Sequence, residues 1–296
     1  MGMTNGASRY DRNILLFGKD GQEKLRATTV AVVGCGGLGS PLIQQLALLG
    51  VGKVSAIDDE ELDETNRNRF VGARHDDPVP GSKKVDLVCR LVNEINPDVV
   101  VDPIPDSLLT ERAFSAIKAA DFVFGCFDDD GPRFILNELC SAYSKPYIDL
   151  ASDVPEAGRY GGRVCVVRNG DGCLICLDVV DMRDVNYYLA SEEQRKSERE
   201  IYGIAREALD SKGPSVAPIN AVVSGLAAME FMVAVTGLRE PCRLLNYNGH
   251  LGTVRVSRDD PAADCYTCTH VGGKGAEANV ERYLSMSHLR ERRRQP

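Results

Sequence analysis

The 296-residue chain lacks a long hydrophobic run: its most apolar stretch, Ala221–Val235, is interrupted by Glu230 and falls short of the ~20 residues a bilayer-spanning helix needs. The start, Met1–Asp11, is polar and has no apolar segment of the kind a secretory leader carries. Neither export nor membrane anchorage is expected, which leaves the cytosol. Positive charge is also in deficit: 35 Lys and Arg stand against 43 Asp and Glu, a net −8, which disfavours nucleic acid as a partner. The one basic cluster, Arg290, Arg292, Arg293 and Arg294, sits at the extreme C-terminus and reads as a solvated tail. Internal repeats are absent. So is a Walker A loop, because Gly52-Lys53 is followed by Val54 and lacks the upstream glycine.

What is present is a regular rhythm. Thr28–Val33 is an apolar run of the kind a buried parallel strand shows, and it ends in a glycine-rich turn. Ser40–Leu49 follows with helical periodicity and stops at Gly50, a suitable C-cap. Further strands are predicted at Lys53–Ile57, Val99–Ile104, Phe122–Cys126 and Tyr147–Ala151, and helices at Lys83–Glu94, Glu111–Lys118 and Pro132–Tyr143. This alternation predicts an α/β fold with a doubly wound, Rossmann-like sheet. After residue 151 the pattern changes to a smaller mixed or antiparallel sheet region, with strands at Gly161–Val167, Arg243–Tyr247 and Thr253–Ser257. A charged helix around Ser191–Ala208 and an apolar helix from Ile219 to Val235 lie between them. The predicted organisation is an N-terminal helical arm (1–27), a nucleotide-binding half (28–156), a second half (157–270) with a crossover loop about 177–216, and a tail (271–296).

Gly34-Cys35-Gly36-Gly37-Leu38-Gly39 fits G-x-G-x-x-G between a strand and a helix. Glycines let the backbone turn tightly and approach a phosphate whose charge faces the helix N-terminus. Asp58, at the end of the next strand, suits a ribose hydroxyl. NAD and ATP both fit this much. Other polar groups favour ATP: Asn66, Asn68 and Arg69 follow the second strand, Lys84 opens the third helix, and Arg12 precedes the first strand. A triphosphate carries more charge than a dinucleotide pyrophosphate, so basic clamps suit it. Asp128, after Phe122–Cys126, suits the Mg²⁺ that accompanies ATP.

These signatures make the chain resemble the ThiF/MoeB/HesA adenylyltransferases, relatives of ubiquitin-activating enzymes, over about residues 9–268. Arg9-Tyr10-Asp11-Arg12-Asn13, Gly34–Gly39, Asp58 with Asn66-x-Asn68-Arg69, Gly81-x-x-Lys84-Val85, Asn96-Pro97, Cys126-x-Asp128, Arg133 with Asn137, and Ala217-Pro218 carry the likeness. It implies that Gly34, Gly36, Gly37 and Gly39 line the nucleotide pocket and that Asp58 binds the ribose. Asn66, Arg69 and Lys84 would contact phosphates, and Asp128 would sit by the metal and the α-phosphate. Arg12 would reach across from the other subunit of a homodimer, as an arginine finger does.

Ten cysteines in a cytosolic chain argue against a disulfide framework. Cys173-Leu174-Ile175-Cys176 and Cys265-Tyr266-Thr267-Cys268 are two C-x₂-C pairs, each suited to two corners of a tetrahedral thiolate site. Four buried thiols or a redox pair are the other readings of the spacing. The resemblance implies one structural zinc. Closed four-thiolate coordination would clamp the second half and leave no open position for catalysis.

The chain departs from thioester-forming relatives in having no cysteine between Cys176 and Cys242; Asp210 falls where they place a thiol. Adenylation without a covalent thioester is therefore expected. The resemblance makes the C-terminal glycine of a ubiquitin-like or sulfur-carrier (β-grasp) protein the expected substrate. A peptide or tRNA-linked carboxylate, an NAD(P)-dependent oxidoreductase and a non-catalytic carrier-docking subunit are the alternatives. The charged segment Val179–Ser215 reads as a solvated helix face or as a clamp over the partner's tail.

Overall fold

The computed structural model describes residues 7–168, 170–195 and 214–292. Its centre is a run of parallel strands: β1 (Thr29–Val33), β2 (Lys53–Ile57), β3 (Val100–Ile104), β4 (Phe122–Gly125) and the start of β5 (Tyr147–Glu156). They are ordered β3-β2-β1-β4-β5. β6 (Arg159–Val167), β7 (Leu244–Asn248) and β8 (Thr253–Val256) continue the same sheet antiparallel. The expected change of rhythm is thus a change of strand direction within one sheet of eight strands.

The central strands are apolar on both faces because both faces are covered. Along β1, Val30 and Val32 enter one core, with Leu42, Leu46 and Phe231. Ala31 and Val33 enter the other, with Phe114, Ile135 and Tyr283. The first layer holds α2 (Gly39–Leu49) and α3 (Lys84–Ile95); the second holds α4 (Glu111–Ala119) and α5 (Asp130–Ala142). α2 ends as expected on Gly50 in the left-handed region (φ 75°), whose N–H reaches Leu46 O at 3.1 Å.

The N-terminal α1 (Asp11–Ala27) bends at Gly18 (φ 76°). Tyr10, just before it, packs under Gly50 and accepts a 2.7 Å hydrogen bond from the fully buried Asn96 amide. Two stretches of the resemblance, Arg9–Asn13 and Asn96-Pro97, therefore meet in space for a packing reason.

A helix not anticipated from sequence, α6 (Met182–Leu189), packs Tyr188 against Gly131 at the start of α5. Most of the expected helix at Ser191–Ala208, and about half of the crossover segment Val179–Ser215, fall on 196–213, outside the described residues. α7 (Ala217–Thr236) matches its prediction. It is the one helix among the described residues long and apolar enough to cross a bilayer. Here it lies on the sheet, Phe231 edge-on to Phe122 and Phe124, and its buried Glu230 is neutralised by Arg239. α8 (Arg282–Ser285) and α9 (Ser287–Arg292) follow, and Val280, Tyr283, Leu284 and Leu289 enter the core. Arg282 and the Tyr283 hydroxyl both donate to Glu138. The end of the described chain is thus packed onto α5; Arg293 and Arg294 lie beyond it.

One loop matters for the site. Residues 66–83 are held by two arginines acting on backbone oxygens: Arg67 donates to Arg74 O and Asp77 O, and Arg90 donates to Gly72 O. Arg90 also grips both Asp77 carboxylate oxygens at 2.7 Å, and this hydrogen-bonded pairing holds the Asp77 carboxyl down at about 2. Asp77→Asn is expected to lower the unfolding free energy by about 1–3 kcal/mol at neutral pH. Because the folded pKa is depressed, the advantage of wild type exists above the unfolded value near 3.8 and fades as pH falls towards 2. Urea unfolding of both proteins across that interval checks it.

Candidate functional site

The sheet reverses its strand order between β1 and β4, and ligands of open α/β sheets bind at the carboxyl ends of strands beside such a switch. A cavity of about 500 Å³ lies there. Gly34, Gly36 and Gly37 line it after β1, Asp58 after β2, and Asp128 after β4; Asn66, Arg69 and Lys84 complete the expected set.

The glycines do different things. Gly34 has φ 91°, and a Cβ there would stand 2.6 Å from Cys126 O. Gly39 does not line the cavity; a Cβ on it would stand 1.9 Å from Gly34 O, so its absence lets α2 start against the turn. Gly36 meets nothing within 4 Å and faces open space.

Asp58 is fixed at the turn: Cys35 N–H donates to it at 2.6 Å and Glu60 N–H at 2.9 Å. Burial lifts its carboxyl above the usual range, against the pull of Lys84 and the two backbone donors. Lys84 is 5% exposed and donates to Glu60. Burial works against its ammonium charge, but Asp58, Glu60 and Asp128 outweigh it and raise its pKa. Lys84 is therefore a fixed cation at neutral pH. Asn66 closes a capping box with Asp63, and Arg69 is braced by Thr65 O at 2.5 Å and the Asn68 side chain at 3.1 Å.

Arg12 is not brought in. It is exposed on α1 and absent from the lining of its own chain's cavity. Conversely, the structure adds groups that the sequence reading gave no role. Arg133, 3% exposed, lines the cavity and donates to Asp149 at 2.6 Å, to Leu150 O at 2.9 Å and to Phe127 O. Asp149, fully buried, also accepts from Tyr147 at 2.8 Å. Ser215 and Asn220 line the cavity from α7 and the residues before it.

The four cysteines of the two C-x₂-C pairs converge, their sulfurs all within 4.8 Å of one another. Cys173 Sγ lies 3.6 Å from Cys265 Sγ and 3.8 Å from Cys176 Sγ, and Cys176 Sγ lies 3.8 Å from Cys268 Sγ. These separations far exceed a disulfide bond, about 2 Å. A zinc–sulfur bond near 2.3 Å gives a tetrahedron with edges of about 3.8 Å. The donor set fits such an ion. The cysteine loop is tied to α5 by Leu174 N–H donating to Asn137 Oδ1 at 3.1 Å and Asp181 N–H donating to Asp130 Oδ2 at 2.7 Å.

A doubly wound sheet with this turn, acid and basic cluster defines a nucleotide-binding α/β protein. Residues 10–268 match the ThiF family model, and the chain belongs to the ThiF family. It is 29% identical over 267 residues to Protein HesA, vegetative, of Trichormus variabilis, covering 88% of this chain and 89% of that protein. It is 28% identical over 268 residues to adenylyltransferase and sulfurtransferase MOCS3-1 of Zea mays, covering 89% of this chain and 51% of that protein. Over 142 residues it is 34% identical to the SAMP-activating enzyme E1 of Haloferax volcanii, covering 47% of this chain and 52% of that protein. The alignments thus span about half the length of the last two relatives. Among solved structures, E. coli MccB with ATP superposes with a TM-score of 0.69 at 21% identity, covering 89% of this chain and 75% of that chain. That likeness shows the fold.

The turn geometry makes a direct comparison possible. Gly39→Ala is expected to lower the thermal midpoint by several degrees, as the backbone clash with Gly34 O costs on the order of 3 kcal/mol. Gly36→Ala, whose Cβ meets nothing, should melt within a degree or two of wild type in the same calorimetric scan.

Proposed function

We propose that the chain is an ATP-dependent adenylyltransferase that activates the C-terminal glycine carboxylate of a ubiquitin-like or sulfur-carrier protein as an acyl-adenylate. The observation that carries the reading is the fixed Lys84 cation beside Arg69, Asp58 and Asp128 in one cavity under the glycine turn. Asp58 would hold the ribose, while Asn66, Arg69 and Lys84 would contact the phosphates. The cavity is lined by seven acidic side chains (Asp58, Asp59, Glu60, Asp106, Asp128, Asp129, Asp153) against three basic ones (Arg69, Lys84, Arg133). A bare triphosphate would meet net repulsion, which a divalent cation held by Asp128 would reduce. Such an ion neutralises phosphate charge when bound.

A carboxylate oxygen attacks the α-phosphorus, the bond to the bridging oxygen breaks, and pyrophosphate leaves with the electron pair. Positioning and charge neutralisation suffice, and no protein nucleophile is needed. The absence of cysteine between Cys176 and Cys242 supports adenylation without a thioester on this chain. Arg12, exposed on α1, suits a homodimer in which it serves the other subunit's cavity. The four sulfurs would hold a structural zinc. The names of the Zea mays and Haloferax volcanii relatives support the carrier-activating reading. A dinucleotide-dependent oxidoreductase would leave the basic cluster without a purpose.

The test is carboxylate-dependent exchange of labelled pyrophosphate into ATP, with carrier proteins ending in glycine and with short peptides. Carrier-dependent exchange is expected, and Asp128→Ala or Lys84→Ala should cut it by about 10²–10³-fold. Exchange driven by peptides alone would redirect the substrate, and NADH binding without ATP binding would sink the reading. Arg12→Ala should be inactive alone and regain activity when mixed with Asp128→Ala, if active sites are shared between subunits. Elemental analysis should find about one zinc per chain, absent in Cys173→Ser together with a lower melting temperature.

A further inference from the structure

Helix α7 begins beside the glycine turn. Asn220, its fourth residue, is 1% exposed and lines the cavity. Its Nδ2 lies 3.0 Å from Ser215 Oγ, while its Oδ1 is buried with no hydrogen-bond partner among the described residues. A buried acceptor left without a donor is destabilising. Val216, at the N-cap, supplies no side-chain cap to the first turn of this 20-residue helix. Ser224, one turn further on, donates to Leu38 O at 2.7 Å and fixes α7 against the turn. Gly37 makes the approach possible, because a Cβ there would stand 2.5 Å from Asn220 Nδ2 and 3.0 Å from Arg69 Cδ.

The N-termini of α2 and α7 therefore meet at the end of the cavity that Arg69 occupies, and the positive ends of both helices favour an anion. Phosphate oxygens accept hydrogen bonds and do not donate, so an amide nitrogen suits them and an amide oxygen does not. The two exchange places by a half-turn of the Asn220 amide. The Ser215 hydroxyl donates as readily as it accepts, so it can hold Oδ1 where it now holds Nδ2. That half-turn satisfies the orphaned oxygen and leaves Nδ2 free to donate to the ligand.

We propose that Asn220, oriented by Ser215, forms a contact for the β- and γ-phosphates of ATP and for pyrophosphate as it leaves. The proposal rests on the ATP reading above. When the bond between the α-phosphorus and the bridging oxygen breaks, charge grows on the departing pyrophosphate, and the Asn220 amide donates to it.

The experiment is titration calorimetry with magnesium ATP and magnesium AMP on wild type, Asn220→Asp and Ser215→Ala. Asn220→Asp keeps the shape but exchanges a donor for an acceptor-only carboxylate. It should weaken ATP about tenfold or more and AMP less than about twofold, the charge-assisted contact being lost. Ser215→Ala should weaken ATP by about three- to fivefold and leave AMP alone. Equal losses for both nucleotides, or unchanged ATP binding in both variants, would overturn the proposal while the ATP reading stands. A wild-type chain that binds neither nucleotide overturns both. Should Asn220→Asp fail to fold in a thermal scan, Ser215→Ala decides alone, since that residue is only half-buried: selective loss of ATP supports the contact, and unchanged binding refutes it.

Discussion

Close backbone approach at the glycine turn is the constraint on which the rest depends. Gly34 sits against Cys126 O, Gly39 against Gly34 O, and Gly37 against Asn220 and Arg69. Three missing Cβ atoms bring together the ends of β1 and β4 and the starts of α2 and α7. Residues distant in sequence acquire a common cavity because these backbones touch. A methyl group at Gly39 would push α2 away from Gly34 O and open the turn that the two backbones form.

The second constraint is electrostatic. Lys84 is buried at the start of α3, where desolvation alone would favour its neutral form. Asp58, Glu60 and Asp128 reverse that preference. The same carboxylates make the cavity lining net acidic. Charge balance thus links the fixed lysine to the divalent cation proposed above. The loop carrying Asn66 and Arg69 is held from behind by Arg67 and Arg90, which grip backbone oxygens and leave the cavity face to Arg69.

Most of the strand–helix order was readable, because parallel strands buried on both faces are plain apolar runs and each ends in a turn residue. Gly50 closing α2 and the eight sites lining the cavity followed from local pattern and resemblance. What escaped depends on contacts that no short window contains. Arg133 and Asp149 form a buried pair across α5 and β5, and nothing around either residue announces the other. Asn220 reads as a polar residue in an apolar helix until Gly37 is found beside it. Continuity of the antiparallel strands with the parallel sheet was likewise hidden, since β5 pairs with β4 along Tyr147–Asp149 but runs on to Glu156 against β6. Alternation alone does not reveal where a strand changes partners.

The cysteine cluster and the cavity are connected through α5. Asp130 and Asn137 accept backbone N–H groups from the segment that begins at Cys173, while Arg133, between them on the same helix, lines the cavity and holds Asp149. The cysteine loop therefore bears on the same helix that follows Asp128. Displacement of that loop would release Leu174 and leave Asn137, already with one unpartnered amide nitrogen, further unsatisfied in the core. Arg133 on that helix in turn donates to Phe127 O, next to Asp128, and to Leu150 O. One helix, α5, is thus shared between the wall of the cavity and the packing of the four-cysteine cluster, so the two lie on a common support.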